Sequence, residues 1–182
     1  MGVAESFRPG QEASTLAGVV MRSDRVIDGL AVGRTSVGGD DSSASIAALY
    51  SMLRRNDVNV IMVSGAILSL YNIVDIDELT RKTRLPVICL TYKETSGIEG
   101  SIRHHFHEHA GPKLEAYRKL GRRRRLKLKS GHSVFFRASG LEDTEARSVI
   151  SMFTLQGSIP EPVRVARLLA RAVAPRLSSP RE

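Results

Sequence analysis

Four of the chain's five histidines fall between His104 and His109, in the stretch RHHFHEHA. His105, Glu108 and His109 spell H-x-x-E-H, a pattern in which two imidazoles a turn apart hold zinc and the glutamate acts as general base. On a helix, Ile98, Ile102, Phe106 and Ala110 form the apolar row. His105 and His109 then share one flank, His107 takes the other, and His104 lies near the back. The four cannot converge on one ion, and no further cluster supplies an evident third ligand. The expectation is a polar helix face, with a histidine-based metalloprotein as an outside reading.

The acids are the next group able to do chemistry. Asp40 and Asp41, in VGGDD, follow an expected strand and precede an expected helix. A carboxylate there can hold a metal in the cleft at a strand end, or cap the helix. Ser64 ends the apolar run VNVIMVS, where α/β sheets carry functional groups. It stands in V-S-G and so misses the G-x-S-x-G of a nucleophile elbow. Asn72 and Asp75 follow within reach of the same strand end, with turn and cap roles as their other reading. No glycine-rich phosphate loop is present.

The third group is cationic. Of 27 basic and 19 acidic residues, nine basic residues and a single acid fall in KLEAYRKLGRRRRLKLK, 113–129, and the rest of the chain is neutral. Arg118, Lys119, Arg122, Arg123, Arg124, Arg125, Lys127 and Lys129 are the expected contacts to a polyanion, of which nucleic acid is the commonest. The alternative is a solvated loop, since the arginine run 122–125 has no stacking aromatic next to it in sequence.

The elements that must position these groups follow from pattern. STLAGVVMR and RVIDGLAVGRTSV read as antiparallel strands, with Asp28-Gly29 as the turn and Gly33 as a bulge. SSASIAALYSMLRR has an apolar stripe at Ile46, Leu49, Tyr50 and Leu53, capped by Asp41, Ser42 or Ser43. VNVIMVSG and LPVICLTY are continuous apolar runs, the mark of strands buried on both faces. DIDELTRKT between them has acids first and bases last, as a helix dipole favours. SGIEGSIRHHFHEHA and PKLEAYRKLG read as helices, RRLKLKSGHSVFFRA as a hairpin, and EDTEARSVISMFTLQ and PEPVRVARLLARAVA as closing helices. A meander followed by αβαβ gives an α/β mixed sheet flanked by helices, an order the RNase H-like fold shares. One domain over 1–175 is expected, with a disordered tail at 176–182. Cys89 is the single cysteine, so no disulfide forms within the chain and a reducing, cytoplasmic setting fits. No apolar run is long enough for a membrane span, and no apolar leader opens the chain.

Taken in order, GVAESF, LAGVVMRSDRVIDG, VGGDDSSASI, SGAILSLYNIVDI, LPVICLTY and QGSIPEPVRVARLLARA resemble the archaeal endonuclease dU family, relatives of endonuclease V. The resemblance implies an RNase H-like fold and divalent-metal nuclease chemistry on DNA with a deaminated base, such as deoxyuridine, in DNA repair. In that chemistry strand carboxylates hold Mg²⁺ or Mn²⁺, which activates water and stabilises the pentacovalent phosphate. The deaminated base needs a pocket once displaced. The family's first-strand acid, in a G-I-D-D type motif, falls on Ala4. Its neighbour is Glu5, which as the next strand residue faces the opposite side. The second acid corresponds to Asp40 or Asp41. The third, in an L-D-G motif, falls on Ser64. The resemblance therefore leaves Glu5 and Asp41 as metal ligands, with Asp40 and Asp75 as further catalytic candidates. Only Met1 precedes GVAESF, so either the first strand is short or the sequence starts late. Two functions stand: a metal-dependent endonuclease, or a catalytically degenerate relative that binds nucleic acid, DNA rather than RNA, through the basic segment.

Overall fold

The computed structural model describes residues 1–8, 10–94 and 97–178, with side chains to 174. The meander is present: β1 (Gly2–Ser6), β2 (Ala13–Met21) and β3 (Ile27–Ser36) pair antiparallel in sequence. Its turn differs from expectation. Asp28 and Gly29 lie inside β3, and the chain reverses where the Arg22 N–H meets the Val26 carbonyl, with Arg25 at a φ of 69°. Arg55 holds Asp28 in place through both its carbonyl and its carboxylate. The register irregularity falls between Val20 and Met21, not at Gly33. Gly33 instead lets a helix approach: a Cβ there would sit 3.3 Å from Leu49.

That helix is α1 (Ser42–Met52), whose Ile46 and Leu49 are buried on the sheet. The two continuous apolar runs form β4 (Ile61–Ser64) and β7 (Val87–Thr91), parallel to each other, and β4 is also parallel to β1. A small hairpin with no clear sequence signal, β5 (Ile67–Leu68) and β6 (Asn72–Ile73), leaves the end of β4 and leads into α2 (Ile76–Thr83). After α3 (Glu99–Phe106) and α4 (Ala110–Lys119) come the hairpin β8 (Arg124–Lys127) and β9 (Ser133–Ser139), then α5 (Asp143–Phe153) and α6 (Glu161–Ser178). The seven-stranded sheet runs β3-β2-β1-β4-β7-β9-β8. The expected tail begins inside α6, which continues to Ser178; residues 179–182 lie outside the described residues. No described helix is long and apolar enough to cross a membrane.

Alternation in the strands sorts two faces. Val3, Leu16 and Val63 pack with Ile46 and Leu49 on the α1 face. Ala4 and Val19 pack with Ala166 of α6 on the other. Gly2 is demanded on that second face, since a Cβ would fall 2.3 Å from the Pro162 backbone.

Candidate nucleic-acid interface and acidic cluster

Glu5 points to the α1 face, where its carboxylate meets serines. The Ser14 hydroxyl donates to Oε2 at 2.7 Å, the Ser69 N–H donates to Oε1 at 2.8 Å, and the Ser69 hydroxyl also donates to Oε2. Ser69 belongs to the β5–β6 turn, in which Ser69, Leu70 and Tyr71 all have positive φ (29°, 53° and 65°). Three consecutive non-glycine residues in that region are costly and persist only when the surroundings hold them. Glu5 grips one end, and the Ser69 carbonyl accepts from the Gly38 N–H at 2.7 Å.

Asp41 stands at the N-cap position of α1, but its side chain makes no cap bond. It turns back onto the end of β3. Oδ1 accepts from Asn72 Nδ2 at 2.6 Å and Thr35 Oγ1 at 3.0 Å, while Oδ2 accepts from the hydroxyls of Ser36 at 3.0 Å and Ser45 at 3.3 Å. The Ser36 N–H lies 3.1 Å from both oxygens. Burial pushes the Asp41 carboxyl up, and these hydrogen bonds, led by Asn72, outweigh it and hold the group below its ordinary range. Ser14 and Thr35 are directly paired across β2 and β3, and both are buried. Glu5 and Asp41 therefore belong to one polar layer. Asn72, also buried, joins it by donating to Thr35, the Ser36 carbonyl and Asp41.

The other two acids are held by α4. Lys113 is 7% exposed, donates to Asp40 at 2.6 Å and to the Gly39 carbonyl, and lies 5.5 Å over the Phe106 ring. Asp40 itself is 82% exposed. Asp75 caps α2 by accepting from the N–H groups of Asp77 and Glu78, and Lys119 reaches its Oδ2 at 2.6 Å. Burial raises the Asp75 carboxyl, but Lys119 and the two N–H donors bring it below its ordinary value. Thus Lys119, expected to face a polyanion, is engaged by an acid of its own chain.

Positions 4 and 64 lie on the opposite face. β1 and β4 run parallel with Val3 beside Val63, so the next residues, Ala4 and Ser64, are neighbours on the α6 side. Ala4 is fully buried with Val19 and Ala166. Tyr92, beyond the end of β7, approaches Ser64; burial pushes its phenol up to about 12, against the pull of Arg167, and its hydroxyl makes no hydrogen bond of normal geometry among the described residues. Arg167 of α6 stacks 5.1 Å over the Tyr92 ring. Where two acids are expected, the chain places a methyl group and a hydroxyl, with a guanidinium close by. That set does not fit a divalent ion. A serine hydroxyl is a weak ligand without charge, and a fixed cation opposes another. Glu5 cannot stand in for Ala4, because it projects through the other face. Among the described residues, no three His, Cys, Asp or Glu side chains gather as a metal site.

The histidines disperse further than a single helix would allow. His107 ends α3 with a φ of 48°, and a 3₁₀ turn, His107–His109, separates it from α4. His105 and His109 are therefore not on one continuous helix. His105 instead packs 5.4 Å from Tyr71 and 4.8 Å from Phe106.

The basic segment differs from the acids in its exposure. Arg118, Arg122, Arg125, Lys127 and Lys129 are exposed, and Arg123 and Arg124 half-buried. Arg124 pairs with Asp143 of α5. The hairpin also brings an aromatic residue to the arginine run: Phe135 of β9 pairs with Arg125, with the guanidiniums of Arg123 and Arg125 5.5 and 6.0 Å from its ring. Only the strand register reveals this. A smaller cleft of about 200 Å³ opens at the carboxyl ends of β4 and β7, between Gly65, Thr91, Tyr117, Arg123 and Arg137.

The endonuclease dU family matches residues 1–174. The chain belongs to that family. A UPF0215 protein of Pyrobaculum calidifontis is 34% identical over 98% of this chain and 98% of its own length. The family's fold is that of endonuclease V: a protein of unknown function from Archaeoglobus fulgidus superposes with a TM-score of 0.78, at 21% identity over 94% of this chain and 95% of its own. Ciona intestinalis endonuclease V, solved with a 24mer DNA containing an inosine followed by a ribo-adenosine, superposes with 0.64, at 12% identity over 97% and 86%. The expected mixed α/β sheet is thus confirmed.

Proposed function

We propose that this member of the endonuclease dU family binds DNA through the β8–β9 side of the sheet and has lost metal-dependent cleavage. The observation that carries the reading is the chemistry at positions 4 and 64. Ala4 and Ser64 adjoin on the α6 face and supply no carboxylate, and the charged group over the neighbouring Tyr92 ring is the Arg167 guanidinium. Binding is supported by the exposed arginines and by the endonuclease V relative solved with DNA. The cleft beside Gly65 offers a displaced base a site with Tyr117 as an aromatic wall and Arg137 and Arg123 as donors. DNA containing deoxyuridine or another deaminated base is the ligand this reading favours.

A second reading is a divalent-metal endonuclease using Glu5 and Asp41 with Mg²⁺ or Mn²⁺. It is favoured by the polar layer that connects those two carboxylates. It requires the serine and threonine hydroxyls that now donate to them to turn away, while the Ser69 and Ser36 N–H groups stay fixed.

Labelled oligonucleotides carrying deoxyuridine, deoxyinosine or only normal bases, incubated with Mg²⁺, Mn²⁺ or EDTA, separate the two. Retention of the DNA without nicking in any metal is expected. Nicking that needs metal and disappears in Glu5→Gln or Asp41→Ala establishes the second reading.

A further inference from the structure

We infer that the groove beside β8 and β9 holds an unpaired stretch of DNA, one base of which stacks on Phe135. The inference rests on the binding half of the proposal above and not on the question of cleavage.

The groove measures about 570 Å³. Arg122, Arg123, Arg124, Arg125 and Arg147 line it with Phe135, and Glu94 is the acid in its wall. The arginines are not equivalent. Arg124 is fixed beneath by Asp143 and by the Phe136 ring at 5.4 Å, and Arg147 donates to the Arg125 carbonyl at 3.1 Å. These two build the groove wall. Arg122 and Arg125 are exposed at its mouth, where they can meet phosphates.

Phe135 is the feature that backbone binding does not require. Phosphate contacts to a duplex need cations only, because paired bases are stacked inward. An aromatic side chain with guanidiniums around it is the platform on which an unpaired base stacks. Geometry links this platform to the cleft near Gly65. Phe135 and Arg137 are two residues apart on one face of β9, a separation of about 6.8 Å. Arg137 lines the cleft, and Arg123 lines both spaces. A strand with one base in the cleft can leave along the groove with the next unpaired base over Phe135.

The test is fluorescence anisotropy with a short labelled single strand of mixed sequence, and with the same strand annealed to its complement. Phe135→Leu keeps an apolar residue on β9 and removes the ring. It is expected to weaken single-strand binding about tenfold, leave duplex binding within twofold, and leave the salt slope unchanged. Phe135→Trp is expected to restore the single-strand affinity. Arg122→Gln with Arg125→Gln should instead lower the single-strand salt slope by about 0.7 for each phosphate that is no longer neutralised. Single-strand affinity unchanged in Phe135→Leu, or equal losses for both DNA forms, overturns the groove while the binding proposal stands. Absence of binding to either form by the native protein overturns both.

Discussion

The carboxylates on the β1–β3 side of the sheet and the guanidiniums on the β8–β9 side meet opposite fates. Asp41 accepts from five groups of its own chain, and Glu5 from two serines. Asp40 and Asp75 are held by Lys113 and Lys119. On the other side Arg122 and Arg125 stand exposed at a groove, Arg125 with its Nε on the Ser133 hydroxyl. A polar group satisfied within the fold stabilises a local geometry, whereas an exposed cluster of one sign attracts a partner. The acid side therefore holds loops in place, and the basic side is left charged and exposed.

The largest effect tests the two faces of β1. Ala4→Asp puts the acid expected from the family against Ala166 and Val19, in an apolar contact with the Ser64 hydroxyl of the neighbouring strand beside it. It should destabilise the protein by about 4 kcal/mol or more in urea unfolding and confer no nicking. A stable Ala4→Asp protein that nicks DNA would break the distinction between the faces. Next, Asp41→Ala leaves the Ser36 N–H and hydroxyl without their acceptor and takes one of three acceptors from the Asn72 amide, and should cost about 3 kcal/mol. A loss below about 1 kcal/mol would mean that the cluster is not structural.

Neutralising Arg122, Arg123, Arg124 and Arg125 together should weaken duplex binding and reduce its salt slope by up to about 3.6, read from titrations at several ionic strengths. Unchanged binding would reduce the basic side to a solvated loop. The smallest effect is in pH. Asp41 and Asp75 have folded carboxyl values below the ordinary 3.8. The unfolded chain therefore takes up protons first as pH falls. Their stabilisation is complete above that value and drains away as pH drops through the lower folded values. Urea midpoints followed into acid should fall, and fall less steeply in Asp75→Asn.

Much of the scaffold was legible because each strand's burial shows in its apolar pattern, continuous or alternating. VNVIMVS and PVICLT read as central strands since both faces are covered, and the Ser130-Gly131 turn marks the outer hairpin. The β5–β6 hairpin was not, because strands of two residues carry no period and its positive-φ turn contains no glycine. His107 breaks its helix with neither glycine nor proline at the break. That Ala4 and Glu5 face apart follows from strand parity, but that α6 covers Ala4 is a tertiary fact. Phe135 joins the arginines only through the pairing of β8 with β9, which places residues ten apart in sequence side by side.

The central claim is that DNA binding persists without a metal site. Its most direct test follows one deoxyuridine-containing labelled oligonucleotide by binding and by nicking, in Mg²⁺, Mn²⁺ and EDTA. The same affinity in all three and an intact strand throughout are expected. Metal-dependent nicking that is lost in Glu5→Gln would contradict the claim.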